Sequence, residues 1–283
     1  MATVKDDLGL LKPFQVPDDD LSCLNSLLNN PPTMISEDPP QYRNDKFVVE
    51  FGPAGALHHS SLASLRSGVW LLDEVVNLFG KVFVQEVSQK VYFFNSAFMG
   101  KLLRSHNKDS SVRGKPCYQE VCRWGGAIKG GLKILRELYV AINKNGNHWL
   151  LLRVNFNSHS IELWDSLCES ASESNSIYLE AMLTYLYYEL NEENSLPIWS
   201  QWILDWQCVD QSSNCPMQLN GNDCGVMTIL NMYLASRGVA LRDNTYNQQQ
   251  VIDFNIRYAL AYLFWSKGRL DKEKEVISQF CWT

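Results

Sequence analysis

The chain has 283 residues, 46% of them hydrophobic and 12% aromatic, with a net charge of −6 and a pI near 5.4. That apolar content allows one large core, and an acidic chain without a Lys/Arg-rich stripe argues against nucleic acid as the main ligand. With no apolar run of transmembrane length and no signal peptide, neither a membrane span nor signal-peptide export is expected.

Six of the ten prolines fall in the first 40 residues, beside the acidic run Asp18-Asp19-Asp20. Residues 1–45 therefore read as an extended arm with little regular structure before Phe47, and 46–283 as a single domain. Helices are expected from about Leu71 to Val87 and from Ala97 to Arg104, then a strand over Ile134 to Ile142. Trp149 to Phe156 and Ile161 to Ser166 read as two strands joined by the hairpin segment Asn157-Ser158-His159-Ser160. A helix from about Ser174 to Glu192 carries Ile177, Leu179, Met182, Leu183, Leu186 and Leu190 at helical spacing. Ile203 to Val209 is a further strand. The Gly- and Pro-free run Val226 to Leu234 belongs to a buried helix opened by Cys224 and ending near Gly238, and a last helix covers Gln248 to Trp265. Strands gathered in the middle with helices at both ends give an α+β class rather than a doubly wound sheet.

The eight cysteines (Cys23, Cys117, Cys122, Cys168, Cys208, Cys215, Cys224, Cys281) are scattered and lack paired CxxC spacing. That pattern fits a reducing compartment better than a disulfide framework or a zinc site, and no metal or cofactor is implied. Cys224 stands apart because it opens a helix. There the unpaired backbone N–H groups and the positive end of the dipole favour a thiolate over a thiol. Six residues earlier, Gln218 lies next to the turn-rich Asn220-Gly221-Asn222, which lets its carboxamide fold back toward the sulfur as an oxyanion donor. Of the five histidines, His148 opens the first hairpin strand and Asp165 closes the second. Hairpin geometry brings them to one edge of the sheet, where the carboxylate can fix the tautomer of the imidazole. Each residue has a bland alternative: Cys224 as a small buried hydrophobe, Asp223 as a helix cap, Gln218 as a turn residue, His148 as an edge-strand histidine.

The order His-Trp, then Trp-Asp-Ser, then Pro-x-Gln-x-Asn-x-x-Asp-Cys-Gly resembles the ubiquitin-like-protein-specific cysteine proteases, the Ulp and sentrin-specific group. Trp70-Leu71-Leu72-Asp73-Glu74 looks like that family's Trp-Leu-Asn-Asp-Glu, with Leu72 replacing the usual Asn. Val91 to Phe98 is similar to its Asn-Ser-Phe-Phe segment. Arg123-Trp124 resembles the Arg-Arg-Trp of the SUMO-directed branch, one arginine short. The resemblance covers roughly residues 60 to 266 and implies a papain-like fold and a monomeric thiol protease of the nucleus or cytoplasm, or of a host cell if the protein is a secreted effector. It implies catalytic roles for Cys224, His148, Asp165 and Gln218, and substrate contacts at Trp149, Trp70, Asp73, Arg123 and Trp124. Trp70 and Trp149 would close over a diglycine tail, and Asp73 would pair with a basic residue of the modifier. SUMO is the expected modifier, with NEDD8-type or ubiquitin-type partners next. The rivals are an acetyltransferase using the same Cys-His-acid set and a modifier-binding module without catalysis.

Overall fold

The computed structural model describes residues 18–37, 40–104, 118–167, 173–191, 197–253 and 255–267. The first 17 positions of the predicted arm, and Cys117, Cys168 and Cys281, lie outside the described residues.

Helix α1 (Asp18–Asn29) and a two-stranded ribbon, β1 (Met34–Glu37) with β2 (Pro40–Tyr42), precede Phe47. The expectation of little regular structure before Phe47 is therefore corrected. Leu24 and Leu28, one helical turn apart, enter the core at 0% and 4% exposure. The prolines and acidic run dominate that segment's composition, but the leucine spacing decides its structure. Two hydrogen bonds tie α1 to the body: His59 Nε2 with the Leu27 carbonyl at 2.7 Å, and the Tyr258 hydroxyl to Asn25 Oδ1 at 2.8 Å.

A second ribbon, β3 (Phe47–Glu50) with β4 (Ala56–His58), leads into the short helix α2 (His59–Ala63). Helix α3 (Asp73–Phe79) begins two residues later than predicted and continues as a π turn over Gly80–Val84. Gly80 is required there, since an added Cβ would lie 2.5 Å from the ring of Phe93. Strand β5 (Val91–Phe94) and helix α4 (Ala97–Leu102) follow. Then come β6 (Glu137–Lys144), β7 (His148–Asn155), β8 (Ser160–Trp164), α5 (Glu173–Leu190), α6 (Trp199–Trp202) and β9 (Gln207–Asp210). Helices α7 (Cys224–Ser236), α8 (Gln248–Asp253) and α9 (Ile256–Lys267) complete the described chain. The single last helix predicted from Gln248 is thus two, with Asn255 at φ 52° between them.

The sheet runs β5-β6-β7-β8-β9, parallel at β5/β6 and β8/β9 and antiparallel in the middle. This is the mixed central sheet of an α+β fold. Strand alternation sends Tyr139, Ala141, Trp149, Leu151 and Trp164 into one core beneath α7, whose residues are all buried. The opposite face, with Leu138, Val140, Leu150, Leu152, Ile161 and Leu163, packs against Met182 and Leu186 of α5. Sequestered on both faces, the central strands read as nearly continuous apolar runs. Among the described residues no helix is long and apolar enough to cross a membrane.

Candidate active site

The β6–β7 connection turns through Asn145 and Gly146, at φ 55° and 78°, conformations suited to a tight hairpin. It delivers His148 opposite Lys144. On the far side Trp164 pairs with Leu151, so the next residue, Asp165, emerges beside the start of β7. His148 Nε2 donates to Asp165 Oδ1 at 2.7 Å, as hairpin geometry predicted. Asp165 is fully buried; its Oδ1 also accepts from the Leu167 N–H at 2.9 Å, and its Oδ2 accepts from Asn175 at 3.4 Å.

The other imidazole nitrogen, Nδ1, is buried without a full hydrogen bond, and the ionisable side chain that acts on the imidazole besides Asp165 is that of Cys224. A loose contact of this kind is usual before substrate binds. Burial opposes a charge on His148. The hydrogen bond to Asp165 and the influence of Cys224 outweigh it and push the pKa up to about 9. For Asp165 burial acts upward, but the bonds from His148, Leu167 and Asn175 hold its carboxyl below the usual carboxylate range.

The sign of the pH dependence follows. Stability from the charged imidazole is fully present below its ordinary value of 6.5 and is lost as pH rises through about 9. Stability from Asp165 is present above its ordinary value of 3.8 and is lost as pH falls through its depressed one. An imidazolium that must protonate a leaving amine should therefore give an alkaline limb in kcat/KM near pH 9. A pH–rate profile on an isopeptide substrate checks this; a limb centred near pH 6.5 would show that the His148–Asp165 pair does not govern the step.

Cys224 is the first residue of α7 and is 2% exposed. Directly behind it, a Cβ on Gly225 would lie 2.9 Å from Leu71 Cβ, so only glycine lets the helix approach the segment carrying Trp70. Gln218 is buried, with its backbone N–H bonded to the Ser166 carbonyl at 2.8 Å. The Ser166 hydroxyl donates to Gln218 Oε1 at 2.8 Å, which turns the amide nitrogen the other way. One of that nitrogen's hydrogens goes to the Asn220 carbonyl at 2.6 Å, leaving the second free to donate. As an oxyanion donor, Gln218→Ala should lower kcat about a hundredfold with little change in KM. Steady-state kinetics check this, and an effect confined to KM would make Gln218 a binding residue.

The two indoles are tied to this frame. Trp149 is buried and its Nε1 donates to the Leu71 carbonyl at 3.2 Å. Trp70 is exposed and its Nε1 donates to the Gly221 carbonyl, in the turn before Cys224, at 2.7 Å. Trp149 is thus a floor and Trp70 a rim.

A sequence model of the Ulp1 protease family, C-terminal catalytic domain, matches residues 69–264. The chain belongs to the Ulp1 protease family. Among its relatives, ubiquitin-like-specific protease 1A of Arabidopsis thaliana is 27% identical over 207 residues, covering 70% of this chain and 37% of that protein. Sentrin-specific protease 5 of Mus musculus is 29% identical over 174 residues, covering 61% and 20%. The chain thus spans well under half the length of these relatives. The C-terminal Ulp1 protease domain solved in complex with Smt3, the yeast ortholog of SUMO, superposes with a TM-score of 0.69 at 20% identity over 90% of this chain and 97% of that one. The Ulp1-like SUMO protease catalytic domain of Chaetomium thermophilum gives 0.63 at 20% identity over 93% and 95%. These likenesses establish the papain-like α+β fold.

Hydrogen bonds thus link the segments that carry the candidate residues Cys224, His148, Asp165, Gln218, Trp70 and Trp149. Asp73 is exposed at the start of α3 and lines a groove of about 590 Å³ with Phe47, Glu50 and Asn77. Its neighbour Glu74 is occupied by the ring and backbone N–H of His58. Trp124 is half-buried, and its ring packs edge-on against Phe94 and Phe98, 5.5 and 5.2 Å between centroids, at the border of the core on the α5 side of the sheet. Arg123 beside it is exposed. Sequence reasoning missed Ser166, Asn175, Gln248 and Arg257, which touch the catalytic residues or their turn. The one signal for Arg257 is a cation inside the otherwise apolar run Ile256 to Phe264.

Proposed function

We propose that this domain is a thiol protease that cleaves after the C-terminal Gly-Gly of a ubiquitin-like modifier, SUMO first among them, freeing it from lysine or trimming its precursor. Cys224 attacks the glycine carbonyl. His148 takes up the thiol proton and delivers it to the leaving amine, and Asp165 holds the imidazolium in place. Gln218 and the Cys224 backbone N–H receive the oxyanion. The observation that carries this reading is the imidazole of His148, bonded to Asp165 through Nε2, left without a full partner at Nδ1 and under the influence of Cys224.

Support for a modifier as substrate comes from the exposed Trp70 rim and the acidic groove at Asp73, which suits a basic residue on a partner surface. Family relatives named for ubiquitin-like modifiers and sentrin, and a structural neighbour bound to Smt3, favour SUMO. The scattered cysteine spacing, without CxxC pairs, is in keeping with a reducing nuclear or cytoplasmic setting. The test is a panel of SUMO, NEDD8 and ubiquitin, each with a C-terminal electrophile in place of the scissile carbonyl. The SUMO probe should form an adduct at Cys224. Labelling by another probe alone would reassign the modifier, and an adduct at a different cysteine would overturn the mechanism.

A further inference from the structure

Arg257 sits in α9 and is only 8% exposed. Its guanidinium meets four acceptors. Nε donates to Asp223 Oδ1 at 2.6 Å and Nη2 to the Asn222 carbonyl at 2.7 Å. Nη1 donates to the carbonyls of Arg66 and Ser64, at 2.9 and 3.2 Å. The first two acceptors belong to the turn before Cys224, the second two to the segment running on to Trp70. Asp223 occupies the N-cap position of α7, yet its side chain makes no capping bond. Instead its Oδ2 accepts from Gln248 Nε2 at 2.6 Å and from Asn220 Nδ2 at 2.7 Å. Gln248 Oε1 in turn accepts from the Leu219 N–H at 3.3 Å. With the Trp70 bond to Gly221, each residue from Leu219 to Asp223 is held by a defined hydrogen bond.

We infer that Arg257 is a positioning residue that clamps the oxyanion-forming turn to the segment bearing the Trp70 rim. This rests on the oxyanion role proposed above for Gln218 and the Cys224 N–H. Arg257 touches no reacting atom. It acts by fixing the peptide that leads into Cys224, and with it the Asn220 carbonyl that receives one hydrogen of the Gln218 amide. A planar fork reaches acceptors on two segments at once, which the compact ammonium of lysine cannot do. Displacing an oxyanion donor by about 1 Å is enough to cost roughly a hundredfold in rate.

The experiment compares wild type with Arg257→Lys, which retains the charge, and Gln248→Ala, which removes one support from Asp223 without altering charge. Three quantities are read: kcat and KM on a SUMO C-terminal amide, the rate of Cys224 alkylation by iodoacetamide, and the thermal melt. Alkylation needs the thiol and His148 but no oxyanion hole, so it separates positioning from general damage. In folded Arg257→Lys, kcat should fall about ten- to a hundredfold while the alkylation rate stays within about twofold. Gln248→Ala should lower kcat several-fold with alkylation again unchanged, and it carries the test if Arg257→Lys does not fold. The clamp is overturned if kcat survives in both variants, or if kcat and alkylation fall together. Turnover that depends on Gln218 but not on Arg257 sinks the clamp alone and leaves the protease reading standing. Turnover indifferent to Gln218 sinks the oxyanion assignment and the clamp with it.

Discussion

Cys224→Ser should lose turnover by about four or more orders of magnitude while still binding the modifier. The fold offers one thiol at a helix N-terminus beside an imidazole whose far nitrogen is fixed by a buried carboxylate. A serine hydroxyl placed there is far harder to ionise, and a histidine that holds its proton up to about pH 9 is already protonated at neutral pH and cannot take the hydroxyl's proton. Binding should persist because the groove at Asp73 and the Trp70 rim are untouched by the change, and recognition remote from the scissile bond survives loss of the nucleophile. Single-turnover kinetics and a direct binding titration separate the two. Cys215 is the natural control. It is buried and its thiol donates to the Asp165 carbonyl at 3.3 Å, which gives it a packing role beside the triad rather than a path to substrate. If Cys224→Ser cleaves at an appreciable rate, or Cys215→Ser is the dead variant, the nucleophile has been misassigned.

The candidate catalytic set was legible as a geometric cluster because its geometry is local or nearly so. Hairpin pairing places His148 beside Asp165 with no knowledge of the rest of the molecule, and the six-residue span from Gln218 to Cys224 is one turn entering one helix. Residues recruited across the fold were not legible in this way. Arg257 meets carbonyls at Ser64 and Arg66, some 190 positions away, and nothing local marks it as more than a cation on a helix. Trp124 shows the limit of a short match: the Arg-Trp dipeptide does not reveal that the ring packs edge-on against Phe94 and Phe98. Helix α1 was missed because proline and aspartate density masked the leucine spacing that anchors it.

Replacing the penultimate or final glycine of the modifier by alanine should nearly eliminate kcat/KM. On the proposed function the tail passes between the Trp70 rim and the frame that holds Trp149, and both indoles are pinned, one to Gly221 and the other to Leu71. Neither can swing aside without giving up a backbone hydrogen bond. Leu71 is itself pressed against Gly225, where even one more carbon has no room. A methyl group on the tail must then lift an indole or shift the scissile carbonyl away from Cys224, and small displacements are costly in rate. Trp70 is the residue to vary, because it is exposed whereas Trp149 is part of the core, and Trp149→Ala would confound selectivity with stability. Trp70→Ala should slow cleavage of the natural tail and narrow the gap between glycine and alanine substrates. Trp164→Phe, altered at a buried position beside Asp165, should shift the melt and leave the gap unchanged. The comparison needs only kcat/KM for two substrates on three proteins. If the alanine tail is cleaved nearly as well as the natural one by the wild-type protein, the aromatic slot does not select glycine, and a modifier ending in Gly-Gly loses its structural basis as the substrate.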